Sequence, residues 1–143
     1  MLVDAIMQTG TATLDRDHTA LRAARIMKEK NVGSVVVVDE AGHPIGIVTD
    51  RDLAVKVIAE GKSADTPVDE IMSHPVFAVS QEALVFDTLR EMARRHVHRM
   101  PVIDAETKQL VGVVTAEDAL MLLTTELANI AEVMSHARPS RGA

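Results

Sequence analysis

The chain has 143 residues, enough for one compact domain or two fused half-size units, and its 47% hydrophobic and 25% charged residues are an ordinary globular balance. No apolar run approaches the roughly 20 residues a membrane span needs, and the absence of cysteine excludes a disulfide framework, a thiolate nucleophile and a zinc–thiolate site. A formal charge of −6, with Phe77 and Phe86 the only aromatic residues, argues against nucleic acid, which needs a basic footprint or a stacking platform.

In chain order, the pattern predicts a short helical turn over Asp4–Met7, an extended piece over Thr11–Leu14 and an amphipathic helix over Thr19–Lys30. The β-branched run Val35–Val38 marks a strand, Ser34–Asp39, buried on both faces. A turn at Glu40–His43 leads to a second strand, Pro44–Thr49, over a connection short enough to imply an antiparallel hairpin. A helix beginning at Asp50 closes the unit, with Leu53, Ala54, Val57 and Ile58 on one stripe. The same order then returns. It runs through a turn at Asp69–Met72, an extended piece at Val76–Val79 and a helix at Ala83–Arg95 with Val85, Leu89, Met92 and Ala93 on one face. A hairpin follows, with strands Met100–Asp104 and Gln109–Thr115 joined by the turn Ala105–Lys108. The closing helix from Ala116 is longer, reaching Met134, with Leu120, Leu123, Leu127, Ile130 and Met134 in line. Its start, Ala119–Leu123, is apolar all round, which predicts cover from the other repeat and from a partner subunit.

The repetition extends to residue identity. Val3-Asp4-Ala5-Ile6-Met7 returns 65 positions later as Val68-Asp69-Glu70-Ile71-Met72. At that offset Arg25, Met27, Val32, Val37 and Asp39 recur as Arg90, Met92, Val97, Val102 and Asp104. Beyond the hairpin turn the offset is 66, and Gly46–Asp52 matches Gly112–Asp118. A register that slips only at a turn is the signature of a duplicated unit. The reading divides the chain into a first motif over residues 1–62, a linker over 63–67, a second motif over 68–135 and a disordered tail over 136–143. Units of this size are marginal alone, so one cooperative body is expected.

Four pieces carry a family resemblance: Val68–Met72, His98-Arg99-Met100-Pro101-Val102-Ile103-Asp104, Gly46–Asp52 and Gly112–Asp118. With the duplication, the chain resembles the CBS domain pair, named after cystathionine β-synthase, from about Met1 to Glu126. The resemblance implies an α/β (α+β) fold of two tandem motifs, each a small, mostly antiparallel sheet with flanking helices, packed about a pseudo-two-fold axis. It also implies two clefts that take adenosine-containing ligands, and a disc-like homodimer. Nothing catalytic is joined to the pair, so the expectation is a free-standing sensor or adaptor. By the same resemblance Asp52 and Asp118 are ribose-hydroxyl acceptors, and Thr49 and Thr115 lie beside phosphate or its adjoining backbone.

The residues themselves leave alternatives open. Thr49…Asp52 and Thr115…Asp118 also fit a helix capping box, and capping and ribose binding can coexist. Gly46 and Gly112 permit either close packing or approach of a ligand to the backbone. Arg99 is a guanidinium able to reach phosphate, and neutral His98 can donate one hydrogen bond. Their counterparts in the first repeat are Ser34 and Gly33, so the two clefts are chemically unequal. Arg94, Arg95, His96 and Arg99 alternatively form a solvated basic helix end. Arg51 points to phosphate or to neighbouring acids. Backbone around Thr13 and Ala78, with side chains of Val36 and Met100, is expected to border the adenine pockets. His96-x-His98 lacks a carboxylate or cysteine cluster, so no metal site is expected. No Walker loop, GxSxG or HExxH motif is present, so the chain reads as no enzyme. The expected function is a cytoplasmic, homodimeric regulatory module that acts on an unidentified protein and needs no cofactor. Its ligand is AMP, ADP or ATP ahead of S-adenosylmethionine or NAD. The alternative is a ligand-independent dimerisation or interaction module.

Overall fold

The structure is a computed structural model, and it describes residues 1–136. The sequence-based tail therefore lies outside the described residues except for His136, which instead closes the last helix.

Each repeat folds as a three-stranded mixed sheet with helices. In the first, β1 (Thr13–Asp15) pairs in parallel with β2 (Ser34–Val38), and β2 pairs antiparallel with β3 (Pro44–Thr49). The crossover from β1 to β2 is α1 (Ala20–Lys30). The second repeat copies this order with β4 (Val79–Ser80), α3 (Val85–Arg95), β5 (Arg99–Ile103) and β6 (Leu110–Thr115). Closing helix α2 (Asp50–Asp52) continues as a π-helical stretch, Leu53–Ile58, whereas α4 runs unbroken from Ala116 to His136. Strands β1 and β4 begin two and three residues later than the sequence pattern places them, which leaves Thr11, Ala12 and Val76–Ala78 outside the ladders.

Both crossover helices end on a residue in the left-handed region, Asn31 at φ 52° and His96 at φ 55°. Asparagine tolerates that conformation better than most residues. His96 is thus a helix C-cap. The basic end beside it is locally satisfied. Glu91 receives both Arg94 (3.5 Å) and Arg95 (2.9 Å), and the Arg95 guanidinium lies 3.6 Å from the centroid of Phe77.

The two repeats exchange their opening segments. Val3, Ile6 and Met7 pack with Met92, Met100, Val102 and Val114 in the core of the second repeat. Val68, Ile71 and Met72 pack with Leu14, Ala23, Val35 and Val48 in the core of the first. Backbone pairing follows the exchange. Val3 N–H donates to Ala83 O (2.8 Å), and Val85 N–H, at the uncapped start of α3, donates to Met1 O (3.0 Å). On the other side Ala20 and Leu21 N–H donate to Thr66 and Ala64 O at 2.8 and 3.0 Å. The crossing strand thereby satisfies helix N-terminal donors that have no intrahelical partner.

Gly46 and Gly112 make this exchange possible. A Cβ on Gly112 would stand 2.6 Å from the Gln8 carbonyl oxygen and 3.0 Å from Met7 Sδ; one on Gly46 would stand 2.7 Å from Met72 Cγ. These glycines serve the close packing of the exchanged segments. Gln8 and Ser73 each form a bridge along the outer edge, on Val113 and Ile47 respectively, so β6 and β3 do not present bare edges there.

A third apolar cluster joins the repeats face to face, with Val36, Ile47 and Val113 buried and Val38, Val76 and Leu110 against them. Side chains alternate along β2, so Val35 and Val37 enter the first repeat's own core while Val36 faces the other repeat.

Hairpin turns are set by two corresponding aspartates. Asp39 accepts from Ala41 and His43 N–H at 3.0 and 2.9 Å, and Asp104 from Glu106 and Thr107 N–H at 2.8 and 2.9 Å. These bonds, from His43 N–H first in one and from Thr107 N–H first in the other, hold both carboxyls below their ordinary value. A carboxyl depressed in the folded state stabilises fully above the unfolded value near pH 3.9, and its contribution is lost as pH falls through the folded value. Asp104→Asn is therefore expected to lower the urea midpoint at pH 6 and to lower it less at pH 3. An equal loss at both pH values would contradict this account.

Candidate functional site

Two clefts open between the repeats, and the repeat offset relates their walls. Cleft one, about 510 Å³, is bordered by Gln8–Ala12, Val32, Gly33, Ser34, Val113 and Thr115, with Lys30, Asn31, Arg99 and Glu117. Cleft two, about 360 Å³, is bordered by Ser73–Phe77, Val97, Arg99, Pro101 and Ile47, with Lys56 and Met72. Segment Gln8–Ala12 thus corresponds to Ser73–Phe77, Val32 to Val97, Ser34 to Arg99 and Val113 to Ile47. Both volumes fall in the range of small-molecule clefts. The clefts differ in chemistry: threonines, Gln8 and Asn31 make the first polar, whereas Pro75, Phe77 and Pro101 make the second more apolar.

Of the residues singled out from sequence, Thr115 and Arg99 border a cleft. Arg99 borders both, and its Nη1 lies 3.4 Å from the point where a Gly33 side chain would begin, beside the Asp50 carboxylate at the same distance. The guanidinium enters no ion pair among the described residues. Thr11 Oγ1 in cleft one is buried without a hydrogen-bond partner. A half-buried free cation and a buried hydroxyl without a partner are costly features that an anionic or polar ligand would satisfy.

Both Thr-x-x-Asp pairs are capping boxes. Asp52 N–H donates to Thr49 Oγ1 (3.1 Å) while Thr49 N–H donates to Asp52 Oδ2 (2.8 Å). The second pair repeats this between Asp118 and Thr115 at 3.1 and 2.9 Å. The remaining carboxylate oxygens are also engaged, Asp52 Oδ1 by Lys56 Nζ (3.1 Å) and Asp118 Oδ1 by Gln8 Nε2 (3.1 Å). Thr49, Asp52 and Asp118 stand at the helix starts beside the clefts and do not form their walls. Asp118 instead borders a shallow hollow with Ile6, Met121 and Leu122.

The remaining candidates spread out. Val36 is fully buried in the core between the repeats, and Met100, 2% exposed, lies in the second repeat's own core. The corresponding partner of Val36 across the offset is Pro101, which does border cleft two; naming Met100 slips the strand by one residue and so turns the side chain to the other face. Thr13 is exposed on β1 and Ala78 is half-buried, while the backbone that lines the clefts lies just upstream of each, at Gln8–Ala12 and Ser73–Phe77. His98 and Arg51 are exposed; His98 O accepts from Ala116 N–H, and Arg51 N–H donates to Asp50 Oδ1. The sequence reading did not single out Lys56 or the segments Gln8–Ala12 and Ser73–Phe77. Their signal was available in the offset itself, which makes the two segments equivalent.

The profile of the CBS domain matches residues 3–58 and again 68–125. The chain belongs to the CBS domain family. The tandem CBS domains account for nearly all of the described structure, and domain pairs of this kind are regulatory ligand-binding modules. An uncharacterized protein of Methanopyrus kandleri is 39% identical over 127 residues, which are 88% of this chain and 62% of that protein. The CBS domain-containing protein YhcV of Bacillus subtilis is 36% identical over 112 residues, 78% of each. The crystal structure of the CBS domain pair of protein MJ0100, in complex with 5′-methylthioadenosine and S-adenosyl-L-methionine, matches with a TM-score of 0.80 at 28% identity, covering 88% of this chain and 98% of that one. This CBS pair has no helix, among the described residues, long and apolar enough to cross a membrane.

Proposed function

We propose that this CBS pair is a non-catalytic regulatory module that binds an adenosine-containing ligand bearing phosphate, AMP, ADP or ATP, in the clefts between its repeats. The observation that carries the reading is Arg99, a guanidinium without an ion-pair partner among the described residues, at the mouth of two clefts of ligand size. The adenosyl ligands of the MJ0100 domain pair support the adenosine half of the ligand. A planar five-donor cation pairs bidentately with phosphate as it does with carboxylate, and the greater negative charge of a nucleotide's phosphates favours nucleotides over S-adenosylmethionine, which offers one carboxylate beside two positive centres. For a ribose to reach Asp52 or Asp118, the carboxylate would exchange its Lys56 or Gln8 contact for the sugar hydroxyls. Binding would act on function by shifting the packing of the repeats, through its differential affinity for two arrangements, and an unidentified cytoplasmic protein would read that shift.

The test is a thermal-shift screen with AMP, ADP, ATP, NAD, S-adenosylmethionine and adenosine. At about 100 times Kd a ligand adds roughly 2.7 kcal/mol, a shift of several degrees. A shift for a phosphate-bearing adenine nucleotide larger than for adenosine supports the reading, and Asp52→Ala and Asp118→Ala should then weaken it. No shift for any of the six ligands rejects it.

A second reading, a ligand-independent homodimer, is favoured by α4. This helix packs on α3 and β6 of its own repeat, and Gln8 and Ile6 of the opening segment meet its start at Asp118, Met121 and Leu122. Beyond these contacts Leu120 (62%), Leu127 (66%), Ile130 (58%) and Met134 (57%) stand exposed in one row with Leu123. Their alternating spacing of three and four residues is a seam for another helix, and a second copy of α4 offers the same seam. Light scattering with and without nucleotide separates the readings: a dimer unchanged by nucleotide, in a protein that no adenosyl ligand stabilises, favours the second.

A further inference from the structure

We infer that the two clefts share one guanidinium, so that a phosphate-bearing ligand in either cleft draws Arg99 to itself and weakens binding in the other. The inference rests on the nucleotide reading above and adds its regulation. Gln8–Ala12 and Ser73–Phe77, Val32 and Val97, and Val113 and Ile47 are equivalent walls of the two clefts, but the equivalent of Arg99 is Ser34, which has no charge. One free guanidinium therefore serves two related sites.

Arg99 is placed to do so. On β5 it stands opposite Thr115, a wall residue of cleft one, while its neighbours Val97 and Pro101 border cleft two. Its Nη1 reaches the cleft-one side at Gly33, where the absent side chain leaves room; the equivalent residue of the second repeat is His98. No ion pair among the described residues anchors the guanidinium, although the Asp50 carboxylate lies beside its Nη1 on the cleft-one side. The other cations do not replace it. Lys56 in cleft two is held by Asp52 (3.1 Å) and by the Ile71 carbonyl (3.0 Å), and Lys30, although it enters no ion pair among the described residues, borders cleft one alone. Coupling of this kind is reciprocal, since each ligand weakens the other by the same factor. A charge-assisted arginine–phosphate contact sets that factor at about tenfold or more.

The experiment is calorimetric titration of the full chain with ADP and with adenosine. Thr9→Trp and His74→Trp, at equivalent exposed lip positions, obstruct cleft one and cleft two in turn. Adenosine, which lacks phosphate, reports how many clefts remain open. With both clefts open, ADP is expected to bind in two steps, and Arg99→Gln to weaken only the tighter one, by about tenfold. In each single-cleft protein Arg99→Gln is expected to weaken ADP by about tenfold and to leave adenosine within about threefold. Ser34→Arg, which supplies a second guanidinium, should tighten the weaker ADP step. A loss confined to one single-cleft protein, an equal loss in both steps, or no gain from Ser34→Arg overturns the sharing and leaves nucleotide binding intact. Failure of ADP and all other adenine nucleotides to bind the unmodified protein overturns the nucleotide reading and this inference together.

Discussion

Val36→Asp is expected to lower the thermal midpoint by more than about 10 °C, a loss of about 3–5 kcal/mol. Val36 has no exposed surface and meets Ile47 and Val113 in the cluster that joins the repeats. No cation belongs to that cluster, so the carboxylate would be buried without a partner or would have to bind a proton. Val38→Asp is the control, because Val38 lies at the partly buried margin of the same cluster. A single cooperative unfolding transition in both variants, measured by calorimetry, would agree with repeats that stand or fall together. If Val36→Asp cost no more than Val38→Asp, the joint between the repeats would not have the importance assigned to it. That joint matters for function because it forms the floor between the clefts: Ile47 and Val113 also border one cleft each.

Gly112→Ala should cost about 1–3 kcal/mol, read as a fall of several degrees in the thermal midpoint. The added methyl would meet the backbone oxygen of Gln8, which cannot move without breaking its paired hydrogen bonds with Val113 at 2.8 and 3.0 Å. At Gly46 the nearest atoms belong to the Met72 side chain, which is flexible and can yield. Gly46→Ala is accordingly expected to cost less than Gly112→Ala. Equal and negligible costs would mean that the exchanged segments do not press on β3 and β6 as described. Because Gln8 borders cleft one and donates to Asp118, Gly112→Ala should disturb cleft one before cleft two.

Much of this architecture was legible in the residues. The offset of 65, slipping to 66 at the hairpin, gave two equivalent units, and the β-branched run Val35–Val37 gave a fully buried central strand. The exchange of opening segments was not legible, because Val3 and Val68 carry the same local pattern and the choice of core is made by tertiary contact alone. Periodicity likewise could not reveal the π winding of Leu53–Ile58, since its apolar stripe also suits an α-helix. At the site, Thr49–Asp52 and Thr115–Asp118 were readable as capping boxes, and the structure contains both. The placement of Met100 beside a pocket ignored the period of two that the repeat alignment already supplied, with Val36 matched to Pro101. Arg99 was readable as a cation near a cleft. Its position at two clefts was not, because that depends on the length of its side chain and on the space left by Gly33.

The most direct test of the account is a crystal structure of the protein grown with ADP. Density for the nucleotide is expected in a cleft between the repeats, with its phosphates on the Arg99 guanidinium and its ribose near Asp52 or Asp118. A nucleotide bound elsewhere, or one held in a cleft with Arg99 turned away from its phosphates, would contradict it.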